Sequence, residues 1–169
     1  WSKNDNIVVL TNNSHWLADD FKNLLINNNN ISIVKTPFLF ASEIFENYNF
    51  YGSILNKIIL RSIKIIFAPI IIIRLASWLN KNKIEGVLSH NGGWPGGELN
   101  RLILIAAKIV RIKKNILVIH NTPSVSKYSI KIIIELRDLF IKWCCSDIIT
   151  VSKACRQSLL NETIFDKTI

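Results

Sequence analysis

The chain has 169 residues, 49% of them hydrophobic and 20% charged, and carries a formal net charge of +9. That length fits a single domain with its own core, and the apolar fraction excludes intrinsic disorder. The excess of Lys and Arg calls for an anionic partner: nucleic acid, anionic lipid or a phosphorylated substrate.

The chain begins with Trp1 and contains no Met, which reads as a fragment or a processed chain, and truncation at both ends is expected. Three cysteines, two of them adjacent at Cys144 and Cys145, make neither a disulfide framework nor a zinc site. No signal-peptide pattern opens the sequence. The expected location is cytoplasmic, with the inner face of the membrane as the place where a basic surface would act.

In chain order, residues 7–11 read as a buried β-branched strand, 16–27 as a helix and 31–35 as a second strand ended by Thr36-Pro37. Residues 38–52 are aromatic-rich and irregular. Two helical stretches follow, 53–68 and 70–80, broken or kinked at Pro69. Residues 85–89 form a third strand, 98–113 a helix opened by glycines, and 116–119 a fourth strand. The helix over 129–145 places Lys131, Glu135, Asp138 and Lys142 on one face. A fifth strand over 147–151 and a short helix over 152–161 complete the pattern. Strands apolar on both faces, alternating with amphipathic helices, predict one α/β domain: a Rossmann-like open parallel sheet with helices on both faces. At least five strands are expected in it.

The segment 54–79 is the most apolar, but Lys57, Arg61, Lys64 and Arg74 interrupt it and Pro69 divides its longest uncharged stretch. It therefore does not read as a membrane span. Lys57, Arg61 and Lys64 share one helical face beside Ile58, Ile59, Ile63 and Ile66, a pattern that suits an anionic membrane surface. The alternative is a covering helix with a solvated charged face. Nucleic acid is not expected, because no aromatic residues interleave with the basic ones.

Ligands of open α/β sheets bind beyond the carboxyl ends of the strands. Those ends read Thr11-Asn12-Asn13, Thr36-Pro37, His90-Asn91-Gly92-Gly93, His120-Asn121-Thr122 and Ser152-Lys153. Such a series of Asn, Thr, Ser and His suits a hydroxyl-rich ligand such as a sugar. The glycines from Gly92 to Gly97 allow close backbone approach and leave amides open at the next helix, and Trp94 offers a ring for stacking on a sugar. A tight turn with packing glycines is the alternative. Gly92 and Gly97 have the Walker A spacing, but Glu98-Leu99 follows where Lys-Ser/Thr is required. Neither G-x-G-x-x-G, G-x-S-x-G nor C-x-x-C occurs, and no metal site or cofactor is expected.

The run Val87-Leu88-Ser89-His90-Asn91-Gly92-Gly93, then Leu117-Val118-Ile119-His120-Asn121, then Asp147-Ile148-Ile149-Thr150-Val151-Ser152 resembles the N-terminal half of family 4 glycosyltransferases of the GT-B fold. The resemblance covers residues 84–169, and residues 7–36 only as a generic Rossmann pattern. It implies the acceptor-binding domain of an enzyme that moves a sugar from a nucleotide-sugar to a lipid-linked or polysaccharide acceptor, with retention. It also implies that the donor pocket lies mainly in a C-terminal domain not contained in this chain, so that the chain alone is inactive. His120 corresponds to the family histidine beside the reacting sugar and is the expected catalytic residue. His90, Asn91, Gly92, Gly93, Trp94, Asn121, Thr122 and Ser152 are the expected substrate-binding residues. Ser152 also suits the cap of the last helix, and the three cysteines suit buried packing. The competing reading is a non-catalytic Rossmann-like module that binds a nucleotide or a protein partner.

Overall fold

A computed structural model of the chain describes residues 6–11, 30–35, 54–95, 97–122, 131–163 and 165. The expected helix over 16–27 and the stretch 38–52 lie outside them. The chain divides into two compact units between Phe67 and Ala68.

In the first unit, strand β1 (Ile7–Thr11) pairs in parallel with β2 (Ile31–Lys35), Ile7 opposite Ile31 and Thr11 opposite Lys35. Both strands have the bounds that their β-branched runs predict. Helix α1 (Ile54–Lys81) crosses the division as one continuous element of 28 residues with Pro69 inside it. Of the expected break or kink at Pro69, this excludes the break. Proline removes one rung, the bond to the carbonyl of Ile65, and the stripe Ile71, Leu75, Ala76 and Leu79 beyond it is buried, which holds the later turns in place. Among the described residues no helix is long and apolar enough to cross a membrane.

The second unit holds the three-stranded sheet β3 (Gly86–Gly93), β4 (Lys114–Asn121) and β5 (Asp147–Thr150), in that order and all parallel. Parallel neighbours need crossover connections. Helices α2 (Glu98–Ile109) and α3 (Lys131–Cys144) lie on the connections between them, and α4 (Lys153–Glu162) follows β5. The fold is thus an open parallel α/β arrangement flanked by helices, as expected. The five strands among the described residues, however, form two hydrogen-bonded sheets, one in each unit.

Strand alternation organises the packing of the second unit. Leu117 and Ile119 point to one face of β4 and join a single core with Leu104 of α2, Ile141 and Cys144 of α3, and Cys155 and Leu159 of α4. Trp94 and Phe165 belong to the same core, edge to face at 5.0 Å. Asn115, at the start of β4, is buried, and its amide nitrogen donates to Leu104 O (2.9 Å) and Cys144 O (2.8 Å), tying both helices to the strand. With a period of two, His90, Val118 and His120 take the other face.

Three boundaries moved for visible reasons. Helix α2 stops at Ile109 rather than 113, because Arg111 adopts a left-handed φ of 62° and Ile112 N turns back to Ala107 O (2.9 Å). Strand β3 runs on to Gly93 and β4 to Asn121, because Gly93 still pairs with Asn121 across the ladder. Residues read as loop after each strand are therefore part of it.

Candidate functional site

The extension of β3 and β4 decides which strand-end side chains meet. Asn91 lies opposite Ile119 and Gly93 opposite Asn121, so His120 stands beside Gly92, with His90 one step behind on the same face. There His90 Nδ1 and His120 Nε2 are 2.9 Å apart, and the two rings stack at 5.2 Å between centroids, 27° from parallel. Both residues are exposed. Both histidines thus stand at one edge, their facing ring nitrogens closer together than a single strand spacing of about 4.8 Å.

A nitrogen–nitrogen hydrogen bond needs one donor and one acceptor, so the contact holds one proton and at least one of its two nitrogens is unprotonated. A second proton would set two N–H groups against each other. His90 is exposed as a residue, but its ring lies against its neighbour. This partial burial, and then the positive charge on His120, hold its imidazole below the ordinary value of 6.5. At neutral pH His90 is therefore neutral, able both to donate and to accept.

Gly92 is the complement of this pair. A Cβ built there meets no atom within 4 Å, and its φ is not in the left-handed range. Neither packing nor backbone conformation demands glycine, and its effect is to leave the place next to His120 open. Gly93 closes the ladder opposite Asn121. Asn121 and Thr122 follow His120 and are exposed. Ser152 is exposed too, but its Oγ accepts from Cys155 N at 3.1 Å, capping α4. The candidate edge therefore comprises His90, Gly92, His120, Asn121 and Thr122, with Ser152 committed to the helix.

Two expected ligand residues are turned inward. Asn91 is buried, since alternation that exposes positions 90 and 92 must bury 91. Its Nδ2 donates to Pro95 O and its Oδ1 accepts from Gly97 N, both at 3.4 Å, so it holds the glycine turn in shape. Trp94 is fully buried and has no open face on which a sugar could stack. Its Nε1 donates to Asp138 Oδ1 at 3.0 Å, an oxygen that also accepts from Arg137 Nε (2.9 Å) and Nη2 (2.7 Å). Sequence reading missed this anchor, because 44 residues separate Trp94 from Asp138 and no local pattern joins them.

The backbone of Lys57, Arg61 and Lys64 lies in α1, while their side chains are outside the described set. The three cysteines are free; burial pushes the thiols of Cys144 up to about 11 and Cys145 up to about 12, and raises Cys155. They pack as protonated thiols, with Cys155 Sγ donating to Asn121 O at 3.3 Å. Among the described residues no group of three or more His, Cys, Asp or Glu is placed to hold a metal ion. Compared with protein-family models, curated proteins and solved structures, the chain has no match.

Proposed function

We propose that this chain is the acceptor-side domain of a glycosyltransferase of the GT-B class, similar to family 4. The observation that carries the reading is the histidine pair beside the open position at Gly92, on the carboxyl edge of a parallel sheet. The pair of imidazoles and the Thr122 hydroxyl form a set that donates to and accepts from sugar hydroxyls or a glycosyl phosphate, with the exposed Asn121 at the strand end beside them. Gly92 leaves room for the ring or phosphate to come against the strand. His120 takes the place next to the reacting sugar, and His90 fixes the orientation of the His120 ring. The acceptor is a lipid-linked or polysaccharide sugar, and the nucleotide-sugar is held mainly by a further C-terminal domain.

The test has two parts. Titration of the chain with a glycosyl phosphate should shift the ¹⁵N imidazole signals of His90 and His120 together; shifts with a free nucleotide but not the glycosyl phosphate would favour a nucleotide-binding module instead. In the enzyme containing both domains, His120→Ala should leave the fold intact and lower turnover on the order of a hundredfold or more, the loss typical of one electrostatic stabiliser of a transition state. Near-normal turnover in a folded His120→Ala enzyme would overturn the assignment.

A further inference from the structure

The charge of the chain is not evenly spread. Residues 68–169 hold 15 Lys and Arg against 7 Asp and Glu, a net +8 of the chain's +9, leaving 6 against 5 in residues 1–67. The second unit also carries an apolar face that its own core does not use. On α3, Ile132, Leu136, Leu139, Phe140 and Trp143 are between 46% and 62% exposed. Their spacing of four, three, one and three puts them on one side of the helix. At the end of α2, Ile109 is exposed in the same way and the preceding Lys108 sits over the Trp143 ring, its Nζ 4.7 Å from the centroid. Arg111, Lys113 and Lys114 follow on the adjoining turn and strand start, all exposed.

We propose that the outer face of α3 docks on an anionic phospholipid bilayer, with Lys108 and the cations after it reaching the lipid phosphates. A stripe of Leu, Ile, Phe and Trp along one helix with cations beside it is the composition of a helix lying in the interface plane. The Lys–Trp stack places a charge and an amphipathic aromatic ring at one depth, which suits a headgroup layer. A second copy of the chain fits less well, since apposing two such faces brings the cations of one toward those of the other. The stripe spans roughly 16 Å, at about 1.5 Å per residue. The last turn of α3 lies near the amino edge of the sheet, where Ser146 N bonds Asn115 O at 2.7 Å. A docked α3 would therefore lie antiparallel to the strands, with its Lys108–Trp143 end at the amino edge of the sheet, opposite the edge of His120. This proposal does not depend on sugar transfer.

The test is flotation of the chain with vesicles of phosphatidylcholine alone and of phosphatidylcholine mixed with phosphatidylglycerol, at low and high salt. Binding is expected only to the anionic vesicles and should weaken with salt. Leu136→Glu with Phe140→Glu should reduce it on the order of tenfold or more. Lys108→Glu with Lys113→Glu should reduce it about fivefold or more for each cation removed. Circular dichroism and thermal melting report whether each variant folds, and if the α3 variant does not, the lysine pair decides. Equal binding to both vesicle types, or full binding by folded α3 and lysine variants, would overturn the proposal. So would binding lost only on charge reversal of Lys57, Arg61 and Lys64, or self-association abolished by Phe140→Glu without any vesicle binding.

Discussion

Helices α2 and α3 have 12 and 14 residues, and each carries a stripe of apolar side chains. They use those stripes in opposite ways. Helix α2 turns its own inward: Leu102, Ile103, Leu104, Ala106 and Ala107 are all buried. Helix α3 sends Ile132, Leu136, Leu139, Phe140 and Trp143 to the surface, and buries Ile141, Cys144 and the carboxylate of Asp138. Of the residues expected to form its charged face, Glu135 and Lys142 are half-buried and Asp138 is completely buried, while the side chain of Lys131 lies outside the described residues. Amphipathicity thus identifies a helix but does not say which side meets the core. Here the buried indole of Trp94 needs an acceptor, Asp138 supplies it, and that bond turns α3 about its axis.

The largest expected effect tests that difference directly. Leu104→Ala, in the core, should lower stability by about 2.7–5 kcal/mol in urea unfolding, as buried Leu truncations do. Leu136→Ala, on the outer side of α3, should change it by less than about 0.5 kcal/mol. Equal losses at the two sites would mean that α3 is covered within the chain itself.

Next in size is the anchor. Trp94→Phe keeps an aromatic ring against Phe165 but removes the donor to Asp138, and a hydrogen bond to a charged group contributes about 1.5–3 kcal/mol. A loss in that range, absent in an Asp138→Ala background that has no acceptor for the indole, would identify this bond as the one that orients α3. A neutral Trp94→Phe would leave the turning of α3 without its cause.

Smaller again, and opposite in sign, is Gly92→Ala. With no atom within reach of the new methyl group, the substitution should raise stability by about 0.4–1 kcal/mol by restricting the unfolded chain. The same methyl group would occupy the open place beside His120, so glycosyl phosphate binding should weaken while the melting temperature rises. Destabilisation would show instead that the glycine serves packing.

The smallest effect is the titration of the histidine pair. The folded-state pKa of His90 lies below its unfolded value, so its contribution to stability is complete above about 6.5 and is lost as the pH falls through the folded value. Because partial burial is the first cause and charge on His120 the second, His120→Asn should move the His90 titration part of the way up toward the ordinary value in an NMR pH series. A His90 titration indifferent to His120→Asn would exclude electrostatic coupling across the 2.9 Å contact.

Much of the architecture was readable from residues close in sequence. β-Branched runs located the five strands among the described residues, β1 and β2 to the residue, because a strand buried on both faces has to be continuously apolar. The edge on which His90 and His120 stand was readable for the same reason, as polar residues directly follow those runs. The ends of β3 and β4 were not, since a ladder continues as long as its partner does, and Gly93 found Asn121. Those few added residues changed the site, because each further strand position reverses the side to which a side chain points. His90 went out and Asn91 in.

The sequence by itself therefore determined the alternation of strands and helices, the parallel α/β class and the side of the sheet on which polar groups gather. Each follows from local periodicity and from the cost of leaving apolar surface in water. Only the tertiary structure decided that Trp94 is a core residue bonded to Asp138, that the two imidazoles touch, and that α3 shows its apolar side to solvent. These rest on partners 30 or 44 residues apart, and a one-residue register change or a turn of a helix about its axis exchanges inside for outside without altering the local pattern.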